Sequence, residues 1–149
     1  MIQRNTENGN RMSEWTARAA VLAVFCLNVQ CALQFVLWPG RFAGAYELSG
    51  AAGEAAVRGL GVAFLMWNAT YPPVIAAPSR HRALYLVVLA QQAIGLLGET
   101  GILLSLPEGH GMLAASLLRF IAFDGGGLVL MAGAYLLLRH AVRVCGGRT

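Results

Sequence analysis

Three ionisable side chains, Glu99, Arg119 and Asp124, sit deep inside apolar stretches of this 149-residue chain. A charge at the centre of a membrane helix costs about 2.5–3.5 kcal/mol on insertion scales, so such a residue turns inward and seeks a partner. Glu99 precedes Pro107 by eight residues and Arg119 follows Gly111 by eight. Both therefore lie about 12 Å below the outer end of their helices. The loop between them is short, which makes the two helices antiparallel neighbours. A Glu99–Arg119 intramembrane ion pair is the expectation. Such a pair locks helix register, and it also offers a proton or substrate relay. Arg119 and Asp124 are only five residues apart, about 140° around one helix, so they do not pair with each other.

A second group lies deeper. Asp124 is about 20 Å from the outer end, near the bilayer midplane. Asn68 reaches a similar depth, and Gln91 and Gln92 approach it from the opposite side. A midplane polar layer of Asn68, Asp124 and Gln91 or Gln92 is expected. Asn68 opens an Asn-Ala-Thr acceptor pattern for glycosylation, but its depth argues against a sugar. Pro72 and Pro73 follow. Neither has an N–H for the carbonyl four residues back, so a kink is expected there.

The elements that must carry these residues are apolar helices. The composition is 57% hydrophobic and 12% charged, against about half and a quarter in a soluble domain. Four apolar stretches, 18–38, 55–77, 83–106 and 112–138, each reach the roughly 20 residues that a bilayer crossing needs. The first is too long, and too interrupted by Asn28, Gln30 and Gln34, for a signal-peptide core. The predicted fold is all-α: an integral membrane four-helix bundle, antiparallel up-down, with a kinked second span. Residues 1–12 form a polar cytoplasmic tail, mobile if nothing holds it. Residues 39–54 form an outer loop with room for a short interfacial helix, whose apolar side is Trp38, Phe42, Tyr46 and Leu48. That loop reads equally as an ordered lid or as a gate.

All eleven basic residues are arginine, and the net charge is +4. Arg4, Arg11, Arg18, Arg80, Arg82, Arg139, Arg143 and Arg148 fall on one side of four crossings. Arg41, with Arg58 near the border, falls on the other. This positive-inside bias puts both termini in the cytoplasm. Trp15, Trp38 and Tyr85 sit where interfacial rings belong. The arginines form no nucleic-acid patch.

Helix faces fit this scheme. Gln92, Gly95 and Glu99 share one face of the third span, and small and polar residues mark helix contact in lipid. Arg58, Gly61, Leu65, Asn68 and Pro72 form a seam on the second. Gly125, Gly126 and Gly127 permit a bend or a close approach. The odd set Cys26, Cys31 and Cys145 indicates neither a disulfide framework nor zinc. Cys26 and Cys31 read as small buried apolar residues. His81, His110 and His140 lie at ends or loops, so haem between spans is not indicated. No metal-ligand spacing or hydrolase triad is visible.

At "AAVRGLGVAFLMWNATYPP" an Arg-Gly element, Arg58-Gly59, opens the second span just after an outer loop "WPGRFAGAYELSG". This layout resembles the DoxX-like group of small bacterial membrane proteins. The resemblance implies a bacterial inner membrane and a role for Arg58 at the outer interface. Some members of that group are subunits associated with quinone-linked oxidoreductases. The first expectation is therefore a non-catalytic accessory or structural subunit of a larger membrane complex, with lipids and other membrane proteins as partners. The alternative is a binder or carrier of a lipophilic molecule, a quinone or lipid, within the bundle. A third reading, a membrane enzyme using Glu99, Arg119 and Asp124, has less behind it.

Overall fold

The structure is a computed structural model that describes the backbone of residues 2–146 and the side chains of residues 9 and 11–141. The side chains of Arg4, Arg143, Cys145 and Arg148 lie outside the described residues. The secondary structure is helical throughout, with no strand among the described residues. The helices are α1 (Ile2–Leu37), α2 (Gly40–Ala43), α3 (Gly50–Asn68), α4 (Tyr71–Ala76), α5 (Arg82–Ser105) and α6 (Gly111–Gly146), with a 3-10 turn at Gly44–Tyr46 after α2. Residues 2–12 are helical and belong to α1.

Three helical segments are long and apolar enough to cross a membrane: Arg11–Leu37, Arg82–Ser105 and Gly111–Ala141. The shortest has 24 residues, about 36 Å of helix against a hydrocarbon core of about 30 Å. Large apolar side chains face outward along them, with Leu104 82%, Val129 74% and Leu97 71% exposed. That is the surface of a protein solvated by lipid.

The second apolar stretch is divided. α3 ends at Asn68 and α4 starts at Tyr71. Pro72 and Pro73 occupy the first turn of α4, where a missing N–H costs nothing. α3 closes ahead of them with tightened bonds, Ala69 N–H to Met66 O at 3.2 Å and Thr70 N–H to Trp67 O at 3.5 Å. The Thr70 hydroxyl adds a second donor to Trp67 O at 3.0 Å. α3 also carries Glu54 and Arg58, and it is not among the three membrane-length segments.

α3 and α4 run back along α1, and α5 pairs with α6, which also packs on α1. The α1–α3 contact is close because Gly61 faces the Ala32 carbonyl, where a Cβ would come within 2.8 Å. The buried positions of α3 are Gly53, Val57, Gly61 and Asn68. The seam thus shares Gly61 and Asn68 with the expected stripe, while Arg58 is exposed. The core has two parts. One gathers Val21, Val24, Tyr71, Val74, Tyr85 and Met131. The other gathers Phe35, Ala43 and Val57, with Phe42, Tyr46, Phe64 and Phe120 packed against them. Tyr85 is fully buried and donates to Met131 O at 3.0 Å. It is a core residue, not the interfacial ring its position near a helix end suggests. Cys26, expected in the core, is exposed.

Candidate functional site

A cavity of about 540 Å³ opens between these packed pairs. α1 supplies a wall from Leu27 to Phe35 that includes Asn28 and Cys31. α3 contributes Phe64, Trp67 and Asn68, and α5 contributes Gln92, Gly95 and Glu99. α6 completes it with Ser116, Arg119, Phe120, Phe123 and Asp124.

The roof is the segment after α1, which contributes Arg41, Phe42, Ala45 and Tyr46. Its rings interlock with the core. Phe35 lies 5.0 Å from Phe42 and 5.9 Å from Tyr46, centroid to centroid, and Tyr46 lies 6.4 Å from Phe120. The roof is fastened to the start of α6. Ser116 donates to Ala45 O at 2.7 Å. One Glu47 oxygen accepts Leu113 N–H at 3.2 Å, and the other meets His110 Nδ1 at 2.5 Å. These bonds, His110 first and Leu113 second, hold the Glu47 carboxyl below its ordinary range. Arg58 Nε donates to Val36 O at 3.3 Å, satisfying a carbonyl in the last turn of α1.

A polar network crosses the floor. Gln92, 2% exposed, donates from Nε2 to Asp124 Oδ1 at 2.8 Å. Its Oε1 accepts the Tyr71 hydroxyl at 3.3 Å. Gln91 accepts the Thr70 hydroxyl at 3.0 Å. Two glycines make room. A Cβ on Gly95 would collide with Asp124 Oδ2, and one on Gly127 would sit 3.1 Å from Gln92 Nε2. The glycine run thus serves close approach at Gly127, and α6 continues through it as helix. Asn68 lies beside the network, not within it. Its amide donates to Phe64 O at 2.8 Å, and its Oδ1 is buried without a partner.

The expected Glu99–Arg119 ion pair does not form. Both residues line the cavity, but the ion pairs among the described residues are Arg18–Glu14 and His110–Glu47. Arg119 instead donates to Ser116 Oγ at 3.1 Å, one turn back on its own helix. Glu99 Oε2 is left buried and unpartnered. Equal depth does not ensure that two side chains face each other around their helix axes.

Sequence reasoning missed Thr70 and Tyr71, which complete the floor network, and the whole α1 wall. The α1 signal was available: Asn28, Cys31 and Phe35 recur at 3-4 spacing, the mark of one helix face. Among the described residues, no group of three or more His, Cys, Asp and Glu converges on a metal position. No family model, curated protein or solved structure matches the chain.

Proposed function

We propose that this is an integral membrane protein that binds a lipophilic small molecule, of the quinone or lipid class, in the space between its helices. The cavity carries the reading. Its wall surface is mainly apolar, with rings such as Phe35, Phe64, Trp67 and Phe120, and polar side chains stand both at the roof and on the floor, a composition that suits a small-molecule site. Its volume suits a guest of tens of atoms, and well-packed interiors do not leave such space without a reason. This favours a binder over the accessory subunit first expected from size and the missing catalytic set.

In this reading α3, the 69–70 turn and α4 together form a fourth crossing, kinked ahead of Pro72 and Pro73. The result is an up-down four-helix bundle with both termini cytoplasmic, in a bacterial inner membrane. The antiparallel run of α3 and α4 along α1 supports it, as does the clustering of arginines.

Solvent extraction and mass spectrometry of the purified full chain test the proposal. About one equivalent of a lipophilic compound per chain is expected. Cys31→Phe, which fills the cavity from α1, should lower that occupancy while the chain stays folded. A chain free of small molecules that co-purifies with stable protein partners would overturn the binder and restore the subunit.

A further inference from the structure

We propose that the guest of this cavity carries a protonated amine on a hydrophobic body. This rests on the reading that the cavity holds a lipophilic molecule, and it names the head group. The polar atoms buried there without a partner are Asn68 Oδ1, Glu99 Oε2 and the Tyr46 hydroxyl. Asn68 Oδ1 is an acceptor, and the Glu99 carboxyl oxygen and the Tyr46 hydroxyl can each accept. Asn68 is only 3% exposed and lines the cavity. A buried acceptor without a donor is destabilising, so the missing component is a donor. Asp124 adds a second carboxylate whose bond, from Gln92, comes from a neutral amide.

The charge balance agrees. Neither carboxylate has an ion-pair partner among the described residues. Arg41 and Arg119 line the roof end of the cavity together with Glu99, Arg119 being turned toward Ser116, while Asp124 lies deeper. An anionic head at the depth of Asn68 would face the Asp124 carboxylate, while an ammonium finds acceptors there. Phe64, Trp67, Phe120 and Phe123 surround the same space, and aromatic faces attract a desolvated cation. An ammonium also supplies the N–H donors that the acceptors lack.

The test compares two fluorescent probes on the full chain in nanodiscs, with protein-free nanodiscs subtracted. Dansylcadaverine is a hydrophobic primary amine, and its N-acetyl derivative has the same body without the charge. Saturable binding of the amine is expected, with the acetylated probe weaker by about tenfold or more. Glu99→Gln, nearly isosteric, should weaken the amine by about tenfold and leave the acetylated probe unchanged. The comparison on the unaltered chain stands even if a variant fails to fold. Displacement by octylammonium, but not by lysophosphatidylethanolamine, supports a free amine as the source, and the reverse supports a lipid headgroup. Equal binding of both probes overturns the ammonium and leaves the lipophilic cavity standing. No saturable binding of either also overturns the ammonium, and the extraction experiment then decides the cavity separately.

Discussion

Gln92 ties three helices through one side chain. It accepts from Tyr71 of α4 and donates to Asp124 of α6, from a buried position on α5. Gln92→Leu fills the same volume but removes one of the two side-chain partners of the Tyr71 hydroxyl, leaving Asn28, and deprives the carboxylate of its donor. An unmade bond to a buried group costs about 1–3 kcal/mol, so a loss of about 1–3 kcal/mol is expected on unfolding in detergent. Gln91→Leu loses only its bond from Thr70, whose hydroxyl keeps Trp67 O, and should cost about 1 kcal/mol or less. Equal losses for the two variants would show that the network carries no special weight. Counting residues was enough to put Gln92 and Asp124 at one level, because helical rise is nearly constant. It was not enough for Glu99 and Arg119. Their separation depends on angle about the axis and on Ser116, which offers Arg119 a nearer acceptor. The same limit hid Tyr71: its ring reads as an apolar residue beside two prolines until its hydroxyl is placed against Gln92.

The roof shows what one element can do for another. The first turn of a helix leaves N–H groups unpaired and carries a partial positive charge. Glu47 answers both at the start of α6, accepting from Leu113 and meeting His110. To reach them its backbone takes a left-handed conformation, φ 57°, which a non-glycine residue adopts only when contacts hold it. The Glu47 carboxyl is held below its ordinary value of 4.5. A depressed folded value means that the carboxylate stabilises the roof fully above the unfolded value. That contribution is lost as pH falls through the lower folded value. Proteolysis within residues 39–49 should therefore stay slow at neutral pH and accelerate only below pH 4.5. Glu47→Gln should be cut faster at neutral pH and converge with the wild type in acid, giving a flatter profile. A wild-type profile that does not change with acid would dismiss the clasp as a support of the roof. Nothing in the sequence pointed to it, since Glu47 and His110 are 63 positions apart and neither belongs to a periodic pattern. The roof's apolar residues were legible for the opposite reason: Phe42 and Tyr46 sit one helical turn apart, and both pack against Phe35.

At the scale of the whole molecule the outside is greasy and the centre is partly polar, the reverse of a protein in water. Apolar length made three membrane helices plain from the sequence. The second stretch was harder to read, because Glu54, Arg58 and the proline pair interrupt it, and the structure divides it into α3 and α4. Whether those two helices together cross the bilayer fixes the side of everything that follows them. With a crossing there, Ser49 at the head of α3 and Ser79 after α4 face opposite sides of the membrane. Without one, they face the same side. Cysteine placed singly at each position, in a chain with Cys26, Cys31 and Cys145 changed to alanine, reports this with a membrane-impermeant maleimide. Ser49→Cys should label in intact cells, and Ser79→Cys only after permeabilisation, because Arg80 and Arg82 beside it favour the cytoplasmic face. Labelling of both from outside would remove the fourth crossing. The cavity, whose α3 wall holds Phe64, Trp67 and Asn68, would then have one wall in the bilayer interface, and its guest would enter from the membrane surface instead of from within the lipid.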